Sequence, residues 1–225
     1  IACYSYALLP ECFSSQRTID RLNLPSSHEL LLLQQLISQR LQDAGYLHIG
    51  MDHYVLAHDE LALAQREGRL QRNFRGYSLL LADDLLGLGV SAISQMGDFY
   101  LQNEHELHAY YARLDRGEHP VSRGFRVSHE DKLRRYIIMS LICELKLDIV
   151  ECSRRFGIEF SRKFHQELLM LRAMEADGLV HITDAQEIQV SRRGRPFLRN
   201  ICMLFDAYLD TRDGVQPPPG FSATL

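Results

Sequence analysis

The sequence predicts a mixed α/β protein in which strand and helix units come first and a mainly helical, winged-helix-like region follows. Up to about residue 70, short apolar runs of strand length alternate with helical periodicity. Beyond Pro120, three helical patterns precede one alternating hairpin. The 225 residues are 46% hydrophobic and 24% charged, which is the composition of an ordinary globular protein.

The first helix has a clear start and a clear end. Ser26 is placed to accept from the first turn and Glu29 to reach back, which is a capping box. Gly45 follows the last residue of an apolar series at helical spacing and supplies a stop signal. A helix is therefore predicted over 27–44. The apolar series consists of Leu30, Leu33, Leu36, Ile37 and Leu41.

Strands are expected on both sides of this helix. Residues 1–9 resemble a strand that is already under way, and residues 46–50 resemble a second strand, followed by a loop at 51–54 and a helix over 59–67. This alternation favours a parallel sheet, in which ligands gather at the carboxyl ends of strands. Tyr6-Ala7 and Met51-Asp52-His53 both lie at such ends.

A glycine-rich stretch over 73–97 contains Gly87-Leu88-Gly89-Val90-Ser91-Ala92, which fits the dinucleotide-binding pattern G-x-G-x-x-A. The context does not fit, because Asp83-Asp84 is not an apolar strand and no helix pattern follows at once. A nicotinamide site is therefore not predicted. Close packing of these glycines against the sugar or base of another ligand remains open. A connecting helix is expected over 103–114.

The carboxyl-terminal region is predicted as a helical trio with one hairpin. Ser128 caps the first helix, Asp148 caps a short one that ends at Gly157, and a third ends at Gly178. A hairpin over 179–190 and a last helix opened by Pro196 complete it. The predicted domains are residues 1–102, residues 103–210, and a disordered tail over 211–225 that is rich in proline.

Net charge indicates which partners to expect, and the cysteines indicate the cellular compartment. The net charge of −4 gives no reason to expect a nucleic-acid or membrane partner, and no apolar run reaches membrane-spanning length. The five cysteines are far apart and odd in number, which indicates reduced thiols and a cytoplasmic protein. His105 and His108 lack a third ligand, so no metal site is predicted.

A DNA-binding winged helix is the strongest alternative of a different class. Its recognition helix would carry basic and polar side chains, and further arginines follow the wing. The near balance of acids and bases beyond Pro120 argues against it, because phosphate binding needs a sustained positive face. The residues concerned are Ser161, Arg162, Lys163, His165, Arg192, Arg193 and Arg195.

Several separate stretches, distributed over almost the whole chain, form a recognisable series. The stretches are Tyr6-Ala7-x-Leu9-Pro10 with Gln16-Arg17, Gly50-Met51-Asp52-His53, Asp59-Glu60-Leu61-Ala62 with Ala64 to Gly68, Arg72-Asn73-Phe74-x-Gly76-Tyr77, Asp84 to Ser94, and Arg199-Asn200-Ile201-Cys202-Met203. In their order and spacing they resemble the oxygen-independent coproporphyrinogen III oxidases.

The resemblance implies the later βα units of a radical S-adenosylmethionine (SAM) partial (β/α) barrel, followed by the helical domain. It implies a [4Fe-4S] cluster, two SAM molecules, coproporphyrinogen III as substrate and an electron donor for the cluster. The cluster would sit on Cys-x3-Cys-x2-Cys, a spacing that the five cysteines do not have. We therefore expect the cluster ligands upstream of Ile1, and we expect these 225 residues alone to bind no cofactor firmly and to be inactive.

The resemblance also implies site residues. Ile93 matches a position that contacts one SAM, and Ala7 matches one that contacts the second. Phe74 matches an active-site aromatic residue, while Arg75 stands where glutamine is common in the family. Together with Asp52 and His53 these two form a candidate active-site wall; no catalytic residue is assigned. A paralogous branch that carries haem is the second interpretation.

Overall fold

A computed structural model describes residues 1–20, 23–73, 76–79 and 84–209, in two compact units. One unit combines Ile1–Leu79 with Tyr136–Leu225, and the other is Leu80–Arg135. The predicted domain boundary at residues 102 and 103 falls inside a strand of the second unit, so the compact units differ from the predicted domains. The predicted disordered tail over 211–225 lies outside the described residues.

The first unit begins with the predicted helix. Helix α1, Ser27–Asp43, starts with the capping box: Ser26 Oγ accepts from the Glu29 amide at 3.3 Å, and the Glu29 carboxylate accepts from the Ser26 amide at 2.8 Å. Two strands and a second helix follow, and a short hairpin completes this part of the unit. They are β1 (Tyr46–Gly50), β2 (His53–Leu56), α2 (Glu60–Arg66), β3 (Gln71–Asn73) and β4 (Gly76–Ser78).

The predicted parallel sheet is wrong for the described residues, because every strand pairing there is antiparallel. A tight turn at Met51 and Asp52 joins β1 directly to β2, whereas a parallel pair needs a crossover of roughly a dozen residues or more. The strand predicted over 1–9 is reduced to a single bridge between Ala2 and His53. The region that was predicted as a loop therefore contains the first half of β2.

The second unit is an antiparallel meander. Strands β5 (Ile93–Met96), β6 (Phe99–Asn103) and β7 (Val121–Arg126) pair in that order. Helix α3 (Leu107–Asp115) connects β6 to β7 and starts later than predicted, because residues up to Asn103 continue β6. Helix α4 (His129–Glu144) then carries the chain onward.

The carboxyl-terminal elements follow α4 in the first unit. Ser128 and Asp148 accept from the amides three residues ahead, so both predicted caps are confirmed. The hairpin is also confirmed, and it pairs with a third strand that the sequence did not predict. The elements are β8 (Lys146–Asp148), α5 (Ile149–Phe156), α6 (Phe160–Lys163), α7 (His165–Ala176), β9 (Val180–Ile182), β10 (Glu187–Val190) and α8 (Leu198–Met203).

Two apolar groups hold the first unit together. Ile49, Val55 and Ala62 pack between the first hairpin and α2. Further along the chain, the fully buried rings of Phe160, Phe164 and Phe205 pack with centroids 4.8 to 6.4 Å apart. Burial of such aromatic side chains supplies much of a core's stability. Within the described residues, no helix is long and apolar enough to span a bilayer.

Candidate functional site

A cavity of about 480 Å³ in the first unit brings together three of the stretches that resemble the oxidase family. Ala7, Asp52 and Arg199 all line it, although they are far apart in sequence. We refer to it as the Ala7 cavity. Its walls are residues 4–8, the first turns of α1, the turn between β1 and β2, and the segment from Arg195 to Asn200.

The polar groups of the Ala7 cavity carry both signs of charge. A carboxylate oxygen of Asp52 lies 3.4 Å from Arg199 Nη2, and both side chains are partly exposed. Arg195 also lines the cavity. An exposed pair of this kind contributes about 1 kcal/mol or less, so a ligand can replace either partner at small cost. The cavity is therefore suited to a small ligand that has an ammonium and a carboxylate group.

The side chain of Gln16 holds the backbone at Ala7. Gln16 Nε2 donates to the Ala7 carbonyl at 3.1 Å, and Gln16 Oε1 accepts from the Leu9 amide. The segment around Ala7 has little regular secondary structure, so these two hydrogen bonds, and not strand pairing, hold its backbone in place. Ala7 itself is exposed, and a ligand in the cavity can reach it.

His53 lies next to the Ala7 cavity between two tyrosines. Its ring meets the rings of Tyr4 and Tyr77 edge to face, with centroids 5.9 and 5.1 Å away, and its Nε2 is 3.4 Å from the Tyr4 hydroxyl. Burial and the positive charge of Arg72 lower the pKa of His53, and its Nδ1 is buried without a partner. His53 is thus a neutral ring in an aromatic wall.

Asp52 and His53 do not form an acid and base pair. Asp52 faces Arg199, whereas the ring of His53 packs on Tyr4 and Tyr77. The two residues contribute to the site separately, one as a charge and the other as an aromatic wall.

Tyr77 explains the glycine at position 50. The Tyr77 hydroxyl donates to the Ile142 carbonyl at 3.0 Å, and a Cβ on Gly50 would lie 2.3 Å from that hydroxyl. Burial raises the pKa of Tyr77 strongly, so the hydroxyl remains a donor. The Arg72 guanidinium lies 4.8 Å from the centre of the Tyr77 ring. Phe74 and Arg75, between β3 and β4, lie outside the described residues.

Ile93 belongs to the second unit, where it starts β5. The glycine-rich stretch packs against it: a Cβ on Gly87 would lie 2.6 Å from the Ile93 carbonyl oxygen. Asn103 Nδ2 donates to the Gly89 carbonyl at 2.9 Å, and Ser94 Oγ accepts from the Gly87 amide at 3.0 Å. In the described residues these glycines thus serve the chain's own packing, and no helix follows them as a dinucleotide site requires.

Arg195 is a site residue that the sequence offered only as part of a DNA-binding alternative. It lies in the short 3₁₀ turn before α8, and its Nη1 donates to the His48 carbonyl at 2.9 Å. Arg199 was present in the family resemblance without an assigned role. Both residues are far in sequence from His48 and Asp52, which they contact. No local sequence pattern therefore indicates that they belong to the site.

Several known proteins are similar to this chain in sequence or fold. Residues 127–197 match the HemN C-terminal domain family. The chain is 44% identical over 216 residues to the oxygen-independent coproporphyrinogen III oxidase of Salmonella typhimurium, covering 96% of this chain and 47% of that protein. The enzyme of the same name from Thermostichus vulcanus is 42% identical over 215 residues, covering 95% of this chain and 66% of that protein.

A solved structure is similar in both fold and sequence. It is coproporphyrinogen III oxidase (HemN) from Escherichia coli, a radical SAM enzyme, with a TM-score of 0.86 and 44% identity over 92% of this chain and 48% of that one. The fold is therefore that of about half of a radical SAM enzyme. The chain belongs to the oxygen-independent coproporphyrinogen III oxidase family. It spans about half the length of most curated relatives that it matches.

Proposed function

We propose that the protein containing this chain converts two propionate side chains of coproporphyrinogen III into vinyl groups, giving protoporphyrinogen IX for haem synthesis in the cytoplasm. When bound, SAM would supply the radical that takes one hydrogen atom from each of the two propionates. Each substrate radical would then release carbon dioxide and pass one electron to an electron acceptor, which leaves a vinyl group. The observation that carries the proposal is the 44% identity over almost the whole chain to enzymes of that name. The Ala7 cavity, with its paired charges, supports it.

The residues of this chain do not fit the [4Fe-4S] cluster. All five cysteines are free thiols, and the described residues contain no group of three His, Cys, Asp or Glu side chains that can hold a metal. Burial raises the pKa of Cys143 and of Cys202 to about 12, which opposes the thiolate that iron needs. Cluster ligands in a Cys-x3-Cys-x2-Cys segment upstream of Ile1 stay a prediction, as does the electron donor.

The Ala7 cavity does fit SAM, which supplies the radical when bound. Asp52 would accept from its ammonium group and Arg199 would bind its carboxylate. Tyr4 and Tyr6, which line the same cavity and are exposed, offer ring faces to its sulfonium cation. Ala7 would contact it through apolar surface. The contact of Ile93 with the other SAM, and a wall of Phe74, Arg75 and His53 around the substrate, belong to the same proposal.

The domain assignment belongs to the proposal as well. Residues 1–102 would form the later part of the radical SAM barrel, and residues 103–210 a winged-helix-like domain that helps enclose the substrate. The order α4, β8, α5, α6 with α7, and the β9–β10 hairpin supports the second assignment. Because winged folds also serve as packing modules, this order does not require DNA binding.

The test is an anaerobic assay of the full-length protein with SAM, a reductant and coproporphyrinogen III, in which vinyl products are separated and counted. The Ile93→Asp variant is expected to form no vinyl group while keeping wild-type iron and sulfide, because it places a carboxylate in a SAM contact. Ile93→Val is the matched control and should stay active. A wild-type protein with a full cluster and no vinyl product would refute the activity, and an active Ile93→Asp would refute the SAM contact.

A further inference from the structure

Two arginines lie in one tightly held turn, Ser191 to Gly194, which we call the arginine turn, and Arg195 follows it directly. The Ser191 amide donates to the Leu179 carbonyl at 3.0 Å, and Ser191 Oγ accepts from the Gly194 amide at 2.9 Å. A Cβ on Gly194 would lie 1.9 Å from the Leu179 carbonyl oxygen, so only glycine allows this approach. These contacts thus fix the backbone that carries Arg192 and Arg193 and that leads into Arg195.

All three side chains line a second and larger cavity of the first unit, the arginine cavity, of about 1060 Å³. Its other walls are one face of α1, β1 and the turn after β1. This volume reaches the upper end of the roughly 300–1,000 Å³ range of small-molecule sites. Leu31, Ile37 and Phe197 add apolar surface to it. The cavity therefore suits a large ligand that is partly apolar and carries negative charge.

The positive charge of these arginines is not neutralised within the described part of the chain. Arg192 Nη2 donates to Gln42 Oε1 at 2.6 Å and Arg195 Nη1 donates to the His48 carbonyl at 2.9 Å, both neutral acceptors. Arg195 Nε is buried without a partner. Among the described residues, no carboxylate lies within 4.0 Å of any of the three guanidinium groups.

Two carboxylates line the arginine cavity, but neither forms an ion pair with any of the three arginines. Asp52 faces Arg199 instead, and Asp43 lies at the end of α1. Burial and the charge of Arg192 lower the pKa of Arg195, so its charged form is held at a cost. Buried charge without a partner is unfavourable, and a bound anion removes that cost. An anionic group of a bound ligand would supply the partner that Arg195 Nε lacks.

We propose that Arg195, with Arg192 and Arg193, binds the carboxylates of those porphyrinogen propionates that do not react. This inference rests on the proposed function, which makes a polycarboxylate macrocycle the substrate. The planar guanidinium fork of arginine matches a carboxylate in two parallel hydrogen bonds. Held in this way, the macrocycle is oriented by its unreactive side chains, and Arg195 is a binding residue that sets affinity for substrate rather than chemistry.

The binding test uses coproporphyrin III, the stable oxidised form of the macrocycle, and its tetramethyl ester, which lacks carboxylates. Fluorescence titration of the full-length protein is expected to give a Kd for the acid that rises at least about tenfold in Arg195→Gln and in the Arg192→Gln/Arg193→Gln double variant. The ester should bind weakly and equally to all forms. Arg66→Gln, an exposed arginine on α2 that does not line the cavity, is the control and should bind as wild type does.

The outcomes separate the possible sources of the carboxylate. Equilibrium dialysis with SAM alone should give unchanged binding in the Arg192→Gln/Arg193→Gln double variant, because neither of these arginines lines the Ala7 cavity; a loss of SAM binding in that variant with unchanged coproporphyrin binding would overturn the proposal. An unchanged Kd for coproporphyrin in folded variants would also overturn it, as would a salt-sensitive shift of duplex DNA that the same substitutions abolish. If Arg195→Gln proves unfolded by circular dichroism, the double variant, whose side chains are exposed, decides the matter.

Failure of the inference is distinguishable from failure of the proposed function. A wild-type protein that binds coproporphyrin through these arginines but forms no vinyl group would refute the activity and leave the carboxylate site intact. A wild-type protein that forms vinyl groups while the variants keep their KM for coproporphyrinogen III would refute the carboxylate site alone. We expect a raised KM and little change in kcat in the variants.

Discussion

Gly194 allows the arginine turn to pack closely against the backbone at Leu179, because it has no Cβ. Its φ of −78° is open to any residue, so substitution there acts through the 1.9 Å approach of a new Cβ to the Leu179 carbonyl oxygen. Gly194→Ala is expected to lower the free energy of unfolding by about 1–3 kcal/mol, as overpacking does. Chemical denaturation measures it. Gly124→Ala is the control with the smaller expected loss, because its new Cβ would lie 3.0 Å from the end of the Leu101 side chain and at an ordinary contact distance of 3.6 Å from the Tyr100 carbonyl oxygen. Equal losses in the two variants would contradict this account.

His48 makes the stability of the protein depend on pH. Its ring stacks on Tyr54 with centroids 4.6 Å apart, its Nε2 lies 2.6 Å from the Met51 carbonyl, and burial is the main cause that lowers its pKa below 6.5. The unfolded chain therefore takes up the proton first, so stability is complete above about pH 6.5 and falls as the pH drops towards the folded pKa.

The His48→Gln variant should lose part of this slope in a plot of unfolding free energy between pH 7.5 and 5.5. Nuclear magnetic resonance of the His48 ring in the wild type should give a midpoint below 6.5. A midpoint above 6.5, or identical slopes in both proteins, would show that burial of this ring does not control the effect.

Helix α1 depends on its cap, because none of its residues is buried within the described structure. Ser26→Ala removes the side-chain acceptor of the Glu29 amide and should cost about 1 kcal/mol of unfolding free energy, with reduced helical circular dichroism. Ser27→Ala, one residue further on and outside the cap, is the matched control and should cost much less. Equal effects of the two substitutions would mean that the capping box does not stabilise the helix.

At the scale of secondary-structure elements, the ends of helices could be predicted from the sequence, whereas the pairing of strands could not. The caps at Ser26, Ser128 and Asp148 were predicted correctly because each is a hydrogen bond over three residues. The parallel sheet was wrong because pairing is decided between distant segments. β8 was missed for the same reason: three residues after α4 carry no pattern of their own and become a strand only beside β10.

At the scale of the whole molecule, these 225 residues are expected to hold no iron–sulfur cluster by themselves. Their five cysteines are separate free thiols, and the described residues offer no group of three metal ligands. After anaerobic reconstitution with iron and sulfide followed by desalting, iron and sulfide per chain should stay far below four. A full-length relative treated in parallel is the positive control. A stoichiometric cluster on the 225-residue chain would refute the prediction.

The sequence by itself determined most of the helices, three of their caps, the β9–β10 hairpin and the family, because these depend on local patterns and on the order of motifs. It also singled out Ala7 and Asp52, which the structure then placed in one cavity. Only the tertiary structure decided that Arg199 meets Asp52 and that Arg195 meets His48, in each case across 147 residues. Contacts of that separation depend on how whole elements pack, and buried charge without a partner becomes visible only when that packing is known.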